Sequence, residues 1–263
     1  MKTQHTTPKI TLVGAGPGDL ELITVKGLNA IKKAEVILYD ALVNEELLDY
    51  APIAKKIFVG KRKGYKAYSQ QEINLLLVKY AFSHGNVVRL KGGDSFVFGR
   101  GFEEIQYAES FGIETSVVPG ISSSIAVPAL SGIPVTHRGT STSFTVISAS
   151  LSNGELNPDV NFAAQSNGTT VILMGLSKLE EILSIYKRAG KYDTGVAIIS
   201  NGSLPNQQIL RGSVATIRYQ FEENPIPSPA IIVVGEVVNL ESINTSNFIE
   251  KAILIWENIL LIP

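Results

Sequence analysis

The sequence predicts an α/β protein made of two α/β domains, residues 1–118 and 119–263. Three observations support this prediction. Short apolar runs alternate with helix-like segments through the first half of the chain. After Gly120 the composition changes to small residues, and strand-like runs resume at Phe144. The chain has 263 residues, 44% of them hydrophobic, which is enough for two small cores or one large core.

In the first half, strand-like runs and helix-like segments follow one another along the chain. Strands are predicted at 10–13, 36–40, 56–60, 87–93 and 115–120, and helices at 24–33, at 44–51, at 70–85 and after Gly101. Gly85 is the predicted C-cap of the longest of these helices. This alternation is typical of a mainly parallel sheet with helices on both faces.

The second half repeats the alternation after the small-residue stretch. Strands are predicted at 144–148, 170–175, 195–200, 207–212 and 230–238, with helices at 178–190 and around 214–221. The stretch 151–168 is interpreted as a long connection, a type of loop that is often functional or mobile. The apolar stretch 248–263 is expected to pack as a helix on the body or on a second subunit, with peripheral membrane contact as the alternative.

Composition excludes several classes of function. The net charge is −1 and the pI is about 6.3, so no overall positive field favours nucleic acid. Without cysteines there are no disulfides, thiolate nucleophiles or cysteine-based zinc sites. His5, His84 and His137 are scattered, so no metal site is expected. No uncharged apolar run is long enough for a membrane span, and the cytoplasm is the predicted location.

The stretch VGAGPGDLELIT, residues 13–24, contains three glycines between a predicted strand and a predicted helix. It is similar to the turn of a nucleotide-binding βαβ unit, in which glycines let the backbone approach a ligand. The dinucleotide pattern is not met, because Asp19 stands where the third glycine is required, and Pro17 lacks a backbone N–H. Asp40, about twenty residues further on, does fit a ribose-binding carboxylate. The glycines alone therefore indicate a nucleotide-like ligand only weakly.

A second glycine motif is more informative. In VVRLKGGDSFVFGRGFEE, residues 87–104, an apolar strand ends at Gly92, Gly93 and Asp94. Two glycines and a carboxylate at a strand end suit ribose hydroxyls or an amine, because a phosphate site would need N–H donors with Lys or Arg. A solvated turn is the alternative interpretation.

Nine motifs, in this order and spacing, resemble those of the tetrapyrrole methylases, and the resemblance covers residues 9–238. The motifs are GAGPGD, YDALV, GKRKG, RLKGGDSFVFGRG, VPGISS, GIPVTHRG, LMG, SNGSLPNQQ and SPAIIVVGEVV. The resemblance implies the tetrapyrrole methylase fold, in which cofactor and substrate bind in a cleft between two α/β domains. It also implies a homodimer. The GKR and RLKGGD motifs are similar to those of the members that methylate uroporphyrinogen III at C2 and C7, giving precorrin-2 for sirohaem or cobalamin.

The resemblance also implies the residues of the site. The cofactor is S-adenosylmethionine, with S-adenosylhomocysteine as its product, and the proton acceptor and donor are Asp40 and Lys61. Asp40 as a cap of the helix 44–51 remains an alternative. The residues expected to contact the cofactor are Pro17, Gly92, Gly93, Asp94, Val97, Ser122, Ser123, Met174, Gly202 and Ala230.

A basic run, GKRKGYK at 60–66, is either a solvated face or, as the resemblance suggests, a dock for the substrate's carboxylates. Other cations that could join such a dock are Arg89, Lys91, Arg100, His137 and Arg138.

The sequence departs from the common family pattern at several positions. Ser95 replaces a proline, Phe102 a glycine, Ser122-Ser123 a Thr-Ala pair and Ala41 an arginine, and ISAS at 147–150 replaces VTGH. Serine hydroxyls can still serve the cofactor, but the missing histidine removes a possible substrate contact. Alternative functions are methylation at another macrocycle position, modification of protein or ribosomal RNA, and tetrapyrrole binding without catalysis.

Overall fold

The computed structural model describes residues 7–60 and 68–240. Two five-stranded sheets form its frame, and helices or 3₁₀ turns cover both faces of each sheet. Lys61, the basic residues that follow it and the apolar stretch 248–263 lie outside the described residues, so the predictions made for them stay predictions.

The first sheet is entirely parallel, as the sequence predicts. Its strands are β1 (Lys9–Gly14), β2 (Val36–Tyr39), β3 (Lys55–Phe58), β4 (Asn86–Lys91) and β5 (Glu114–Val118). They lie in the order β3-β2-β4-β1-β5, and Leu38 of β2 is opposite Arg89 of β4. All five strands present their carboxyl ends at one edge, where ligands of such sheets bind.

Three helices and a 3₁₀ turn cover this sheet. The helices are α1 (Val25–Lys32), α2 (Gln70–His84) and α3 (Gly101–Glu109). Helices α2 and α3 pack on one face, where Leu77 and Ile105 join the same buried cluster as Leu12. Helix α1 and the 3₁₀ turn Glu45–Tyr50 pack on the other face.

The ends of α2 show how local sequence determines a helix. The hydroxyl of Ser69 accepts a hydrogen bond from the N–H of Glu72 at 3.2 Å, and the Glu72 carboxylate accepts one from the N–H of Ser69 at 2.8 Å. This capping box satisfies two N–H groups that the helix leaves free. At the other end Gly85 has a φ of +96° and donates to the carbonyl of Ala81 at 3.0 Å. The predicted C-cap is confirmed.

The second sheet is mixed. Its strands are β6 (Phe144–Ser148), β7 (Thr169–Leu173), β8 (Gly195–Ser200), β9 (Gln208–Ser213) and β10 (Ala230–Val234). The order is β6-β7-β10-β8-β9, with β6 and β7 parallel and the other neighbours antiparallel. The sheet lies between helices α5 (Asp159–Gln165), α6 (Leu179–Arg188) and α7 (Ile217–Glu223) on one face and α4 (Ser123–Leu130) with a 3₁₀ turn, Glu236–Asn239, on the other.

Two of these helices were not expected from the sequence. Helix α4 forms inside the small-residue stretch, where apolar periodicity is weak and Pro128 lies within the helix. Helix α5 forms inside the stretch 151–168, which was interpreted as one long connection. That interpretation is therefore wrong for residues 159–165. The α5 segment has only seven residues and is stabilised by packing on α6 rather than by a strong local signal.

The two sheets contact each other through loops. The N–H of Asp19, after β1, donates to the hydroxyl of Ser203, after β8, at 3.1 Å. A Cβ on Gly18, in the same loop as Asp19, would lie 3.0 Å from Cδ2 of Leu204, next to Ser203. The first sheet ends at Val118 and the second begins at Phe144. This change of sheet supports a domain boundary near 118–120, which stays a proposal.

None of the helices formed by the described residues combines the length and the apolar composition that a membrane crossing requires. Within the same residues, no three His, Cys, Asp or Glu side chains are grouped as a metal site would need.

Candidate active site

The loops after β1 and β4 meet at the carboxyl edge of the first sheet. The N–H of Ala15 donates to the carbonyl of Lys91 at 2.7 Å. Gly16 and Gly93 exchange two backbone hydrogen bonds, at 3.2 Å and 2.7 Å. Because these bonds continue the pairing of the two strands, both loops keep a defined conformation beyond the sheet.

Glycine is required where these loops touch the loop after β5. A Cβ on Gly14 would lie 2.5 Å from the backbone nitrogen of Gly120 and 2.7 Å from the carbonyl oxygen of Gly93. Backbone atoms cannot move aside as a flexible side chain can. The first glycine motif therefore joins three loops at backbone contact distance.

Gly93 is different, because it faces open space. Its φ of +66° lies in the left-handed region, and the single described atom within 4 Å of a Cβ placed there is the backbone nitrogen of Ser123, at 3.8 Å. Ser123 is the first residue of α4, and Ser122 caps this helix by accepting from the N–H of Ser124 at 3.3 Å. A ligand could therefore approach the backbone of Gly93 and the start of α4 together.

Asp94 ties the loops together. One carboxylate oxygen accepts from the N–H of Phe96 at 2.8 Å, and the other accepts from the N–H of Gly120 at 2.9 Å. These two bonds fix the Asp94 carboxylate, while Gly93 faces open space, so a solvated turn stays the alternative interpretation of this segment. Each oxygen has a second lone pair, so both can still accept a bond from a ligand.

Asp40 follows β2 at the same edge. Its Oδ1 accepts from the N–H of Leu42 at 3.1 Å and of Gly92 at 3.4 Å, and its Oδ2 lies 3.9 Å from Nη2 of Arg89. The residue that caps the following 3₁₀ turn is Asn44, which accepts from the N–H of Glu46 at 3.2 Å. The interpretation of Asp40 as a helix cap is therefore wrong.

Two of the expected substrate-docking cations are buried. Arg89 and Lys91 project to the α2/α3 face of the sheet, and their side chains are 4% and 6% exposed. Both pair with Oε1 of Glu104, at 3.2 Å and 3.1 Å. Burial, reinforced by the charge of Arg89, lowers the pKa of Lys91 although Glu104 opposes the shift. The interpretation of these two residues as a surface dock is wrong, because a helix supplies their partner.

Three further expected cations, Arg100, His137 and Arg138, are exposed. Arg100 forms an ion pair with Glu103 at 2.6 Å, which raises the pKa of Arg100 and lowers the pKa of Glu103. The ring of His137 is 3.0 Å from the hydroxyl of Thr140, and Arg138 is exposed. An exposed ion pair contributes about 0–1 kcal/mol, so little stability would be lost if Arg100 left Glu103 to bind a ligand.

A cavity of about 660 Å³ lies between the two halves of the chain. Residues of the segment 96–103 line it from the first half, and residues of 148–152, Asn157 and Met174 line it from the second. The rings of Phe96 and Phe102 meet edge to face with centroids 6.4 Å apart. A smaller cavity of about 320 Å³ shares Phe98, Ser148 and Asn157 with it.

The expected cofactor residues come from both halves of the chain, Met174, Ala230 and Gly202 from the second half and Pro17 and Val97 from the first. Met174 directly follows β7, has a φ of +56°, and lines the large cavity. Ala230 begins β10, whose register with β7 places it beside Met174. Gly202 packs on α4, where a Cβ would lie 2.3 Å from Val127. Pro17 is half-buried in the loop after β1, and Val97 is exposed near the cavity.

Sequence reasoning missed the aromatic residues of the cleft and its polar residue Asn157. The run SFVFGRGF carries Phe96, Phe98 and Phe102, which are 51%, 48% and 59% exposed. The signal in the sequence was three phenylalanines near the end of a strand, too closely spaced to lie on a single helix face. Such exposed aromatic clusters mark binding surfaces more often than isolated exposed residues do.

Strand-end loops of a parallel sheet, facing a second sheet across a cavity, define the class of α/β enzymes that bind a ligand between two sheets. The sequence matches the family Tetrapyrrole (Corrin/Porphyrin) Methylases over residues 9–218. The chain belongs to the tetrapyrrole methylases.

The relatives within this family are close. The chain is 48% identical over 239 residues to a uroporphyrinogen-III C-methyltransferase of Methanocaldococcus jannaschii, covering 89% of this chain and 98% of that one. It is 47% identical over 240 residues to a siroheme synthase of Actinobacillus pleuropneumoniae, but spans only 48% of that protein's length. Among solved structures, a uroporphyrin-III C-methyl transferase of Thermus thermophilus complexed with S-adenyl homocysteine is 37% identical with a TM-score of 0.76, covering 88% of this chain and 99% of that one.

Proposed function

We propose that this chain transfers methyl groups from S-adenosylmethionine to C2 and C7 of uroporphyrinogen III, giving precorrin-2 and S-adenosylhomocysteine. The observation that carries the proposal is the similarity to the Methanocaldococcus jannaschii relative, 48% over 98% of its length. The chain spans about half the length of the siroheme synthases that it matches.

The residues at the carboxyl edge fit S-adenosylmethionine chemically. Gly93 offers open backbone, Asp94 has lone pairs for ribose hydroxyls or an amine, and the exposed Met174 supplies an apolar contact. We assign these three residues and the other predicted contacts to the cofactor, namely Pro17, Gly92, Val97, Ser122, Ser123, Gly202 and Ala230.

S-adenosylmethionine supplies the methyl group from its sulfonium when it is bound. The pyrrole carbons of uroporphyrinogen are electron-rich, so the main work of the protein is to hold the reacting atoms in line. Such positioning contributes on the order of 7–11 kcal/mol, against roughly 3–5 kcal/mol for general acid–base assistance. The cavity walls, including Phe96 and Phe102, hold the macrocycle in this proposal.

After each methyl addition a proton must leave the macrocycle. We assign its acceptance to Asp40, whose side chain is 26% exposed at the carboxyl edge. The assignment of Lys61 as proton donor rests on the resemblance alone. A homodimer and a cytoplasmic location also stay predictions, as does the entry of the product into sirohaem or cobalamin synthesis.

The test is anaerobic incubation of the purified chain with S-adenosylmethionine and uroporphyrinogen III, followed by mass spectrometry of the tetrapyrrole. Gain of two methyl groups is expected. No gain, with binding of S-adenosylhomocysteine established by calorimetry, would refute the substrate assignment and direct the assay to other precorrins.

An Asp40→Asn variant should lose about 10²–10⁴-fold in kcat, the usual contribution of a general base, while its affinity for S-adenosylhomocysteine stays the same. A rate within twofold of the wild type would exclude Asp40 as the proton acceptor.

A further inference from the structure

A line of charged side chains runs from the carboxyl edge into the core of the first half. Asp40 stands at the edge, Arg89 lies beneath it on β4, and Glu104 lies behind Arg89 on α3. Arg89 and Glu104 are 3% and 1% exposed, so two of the three charges are inside the protein.

Arg89 is held by acceptors around its guanidinium. Its Nε donates to Oε1 of Glu104 at 3.2 Å, and its Nη1 donates to the carbonyl of Leu90 at 3.1 Å and lies 3.5 Å from that of Leu38. A guanidinium is planar and rigid, so fixing Nε and Nη1 also fixes Nη2. It is Nη2 that faces Oδ2 of Asp40, at 3.9 Å.

Glu104 is held in turn by three donors. Besides Arg89, its Oε1 accepts from Nζ of Lys91 at 3.1 Å and from the amide of Gln70 at 3.1 Å. The same Gln70 amide donates to Asn74 at 2.9 Å, which joins α2 to the cluster. Oε2 of Glu104 has no hydrogen-bond partner among residues 7–60 and 68–240.

Stability alone does not explain this cluster. Burying charged groups carries a large desolvation cost, and well-packed apolar residues of similar volume are often as stable or more so. Other buried positions between this face of the sheet and helices α2 and α3, such as Leu12, Leu77 and Ile105, do use apolar residues. The buried charges lie where the sheet edge meets Asp40, and there they fix the direction of one guanidinium nitrogen.

The two oxygens of Asp40 are in different environments. Oδ1 accepts from two backbone N–H groups, whereas the described contact of Oδ2 is with Arg89. Oδ2 therefore has more lone-pair capacity left for a substrate proton. It is also the oxygen that faces Nη2 of Arg89.

We propose that Glu104 is a positioning residue that acts on Asp40 through Arg89, keeping Oδ2 oriented for proton acceptance. This inference rests on the proposed role of Asp40. Glu104 touches neither substrate nor cofactor in this arrangement, and its effect passes through Nη2 of Arg89.

A double-mutant cycle tests the inference. The variants are Glu104→Gln, Asp40→Asn and the double variant, with Glu109→Gln as the matched control. Glu109 is an exposed glutamate at the far end of the same helix, where it accepts from the hydroxyl of Thr115 at 2.6 Å. For each variant, kcat, both KM values, the melting temperature and S-adenosylhomocysteine affinity are measured.

We expect Glu104→Gln to lower kcat on the order of 10- to 100-fold with both KM values unchanged, since a misoriented base slows the reaction rather than binding. In the Asp40→Asn background the same substitution should have no further effect, because coupled residues are not additive. Glu109→Gln should match the wild type. An equal loss of kcat in both backgrounds, or no loss in either, would overturn the inference.

Glu104→Gln removes the negative charge that partners the buried Arg89 and Lys91, so this variant could fail to fold. A second variant tests the inference in that case. Arg89→Lys keeps the charge but removes the fork that links Glu104 to Asp40. The same loss of kcat, again absent in the Asp40→Asn background, is expected, and full activity of a folded Arg89→Lys would overturn the inference. An inactive wild type would instead refute the proposed function, so the two failures are distinguishable.

Discussion

Replacing Gly14 by Ala should disturb three loops of the candidate site with one methyl group. The new Cβ would lie 2.5 Å from the nitrogen and 2.6 Å from the Cα of Gly120, and 2.7 Å from the carbonyl oxygen of Gly93. Normal contacts of this kind are about 3.5–4.0 Å, so the loops must separate by roughly 1 Å. Overpacking of this size typically costs about 1–3 kcal/mol.

The expected result is a lower melting temperature and weaker binding of S-adenosylhomocysteine. A loss of about 1–3 kcal/mol corresponds to a fall of roughly 2–12 °C for a chain of this size, measured by circular dichroism. Calorimetry should show a higher Kd, because Gly93 and Gly120 belong to the loops assigned to the cofactor.

Gly112→Ala is the matched control. Gly112 has a φ of +72° and no described atom within 4 Å of an added Cβ, so alanine there would strain only its own backbone. It should lower the melting temperature without changing the Kd. If Gly14→Ala melts like the wild type and binds S-adenosylhomocysteine equally well, the three loops do not meet at the backbone distances of 2.5–2.7 Å given above.

Three further predictions test other parts of the structure. Phe102→Ala should raise KM for the tetrapyrrole roughly 10-fold by removing an apolar wall of the cavity, with unchanged S-adenosylhomocysteine affinity, and steady-state kinetics would check this. Asn44→Ala should cost about 1 kcal/mol in urea unfolding, because it removes the cap of the 3₁₀ turn and a bond to the carbonyl of Gly18; an unchanged midpoint would contradict that role. Burial lowers the pKa of Lys91 below its ordinary value of 10.5, so the unfolded chain binds this proton more tightly than the folded chain. The contribution of Lys91 to the unfolding free energy therefore rises as the pH rises towards 10.5. Lys91→Met should remove that part of the pH dependence of the unfolding free energy, and identical profiles would argue against the shift.

Much of the fold follows from local signals. The strands Phe144–Ser148 and Gly195–Ser200 coincide with the predicted runs, because β-branched and apolar residues are concentrated there. The capping residues of α2, Ser69 with Glu72 at the start and Gly85 at the end, are residue types that favour helix ends. The weak periodicity of α4 and the short length of α5 left both unpredicted, because their helical state depends on packing.

The candidate site was predicted in part. The motifs around Gly93, Asp94 and Met174 follow strands, and the carboxyl ends of the first sheet's parallel strands meet at one edge, so some of their proximity could be argued beforehand. The interpretation of Arg89 and Lys91 failed, because alternation along a strand does not say which helix will cover a face.

By itself, the sequence determined the order of the strands and of most helices, the glycines of the turns and the residue types that the chemistry needs. The tertiary structure alone decided which of these groups meet. It placed Gly120 against Gly14, made Asn44 rather than Asp40 the cap, and put Glu104 beside Arg89 and Lys91. The physical reason is that a lone charge or a glycine is locally compatible with several environments, whereas a buried pair or a backbone contact exists only after distant segments have packed.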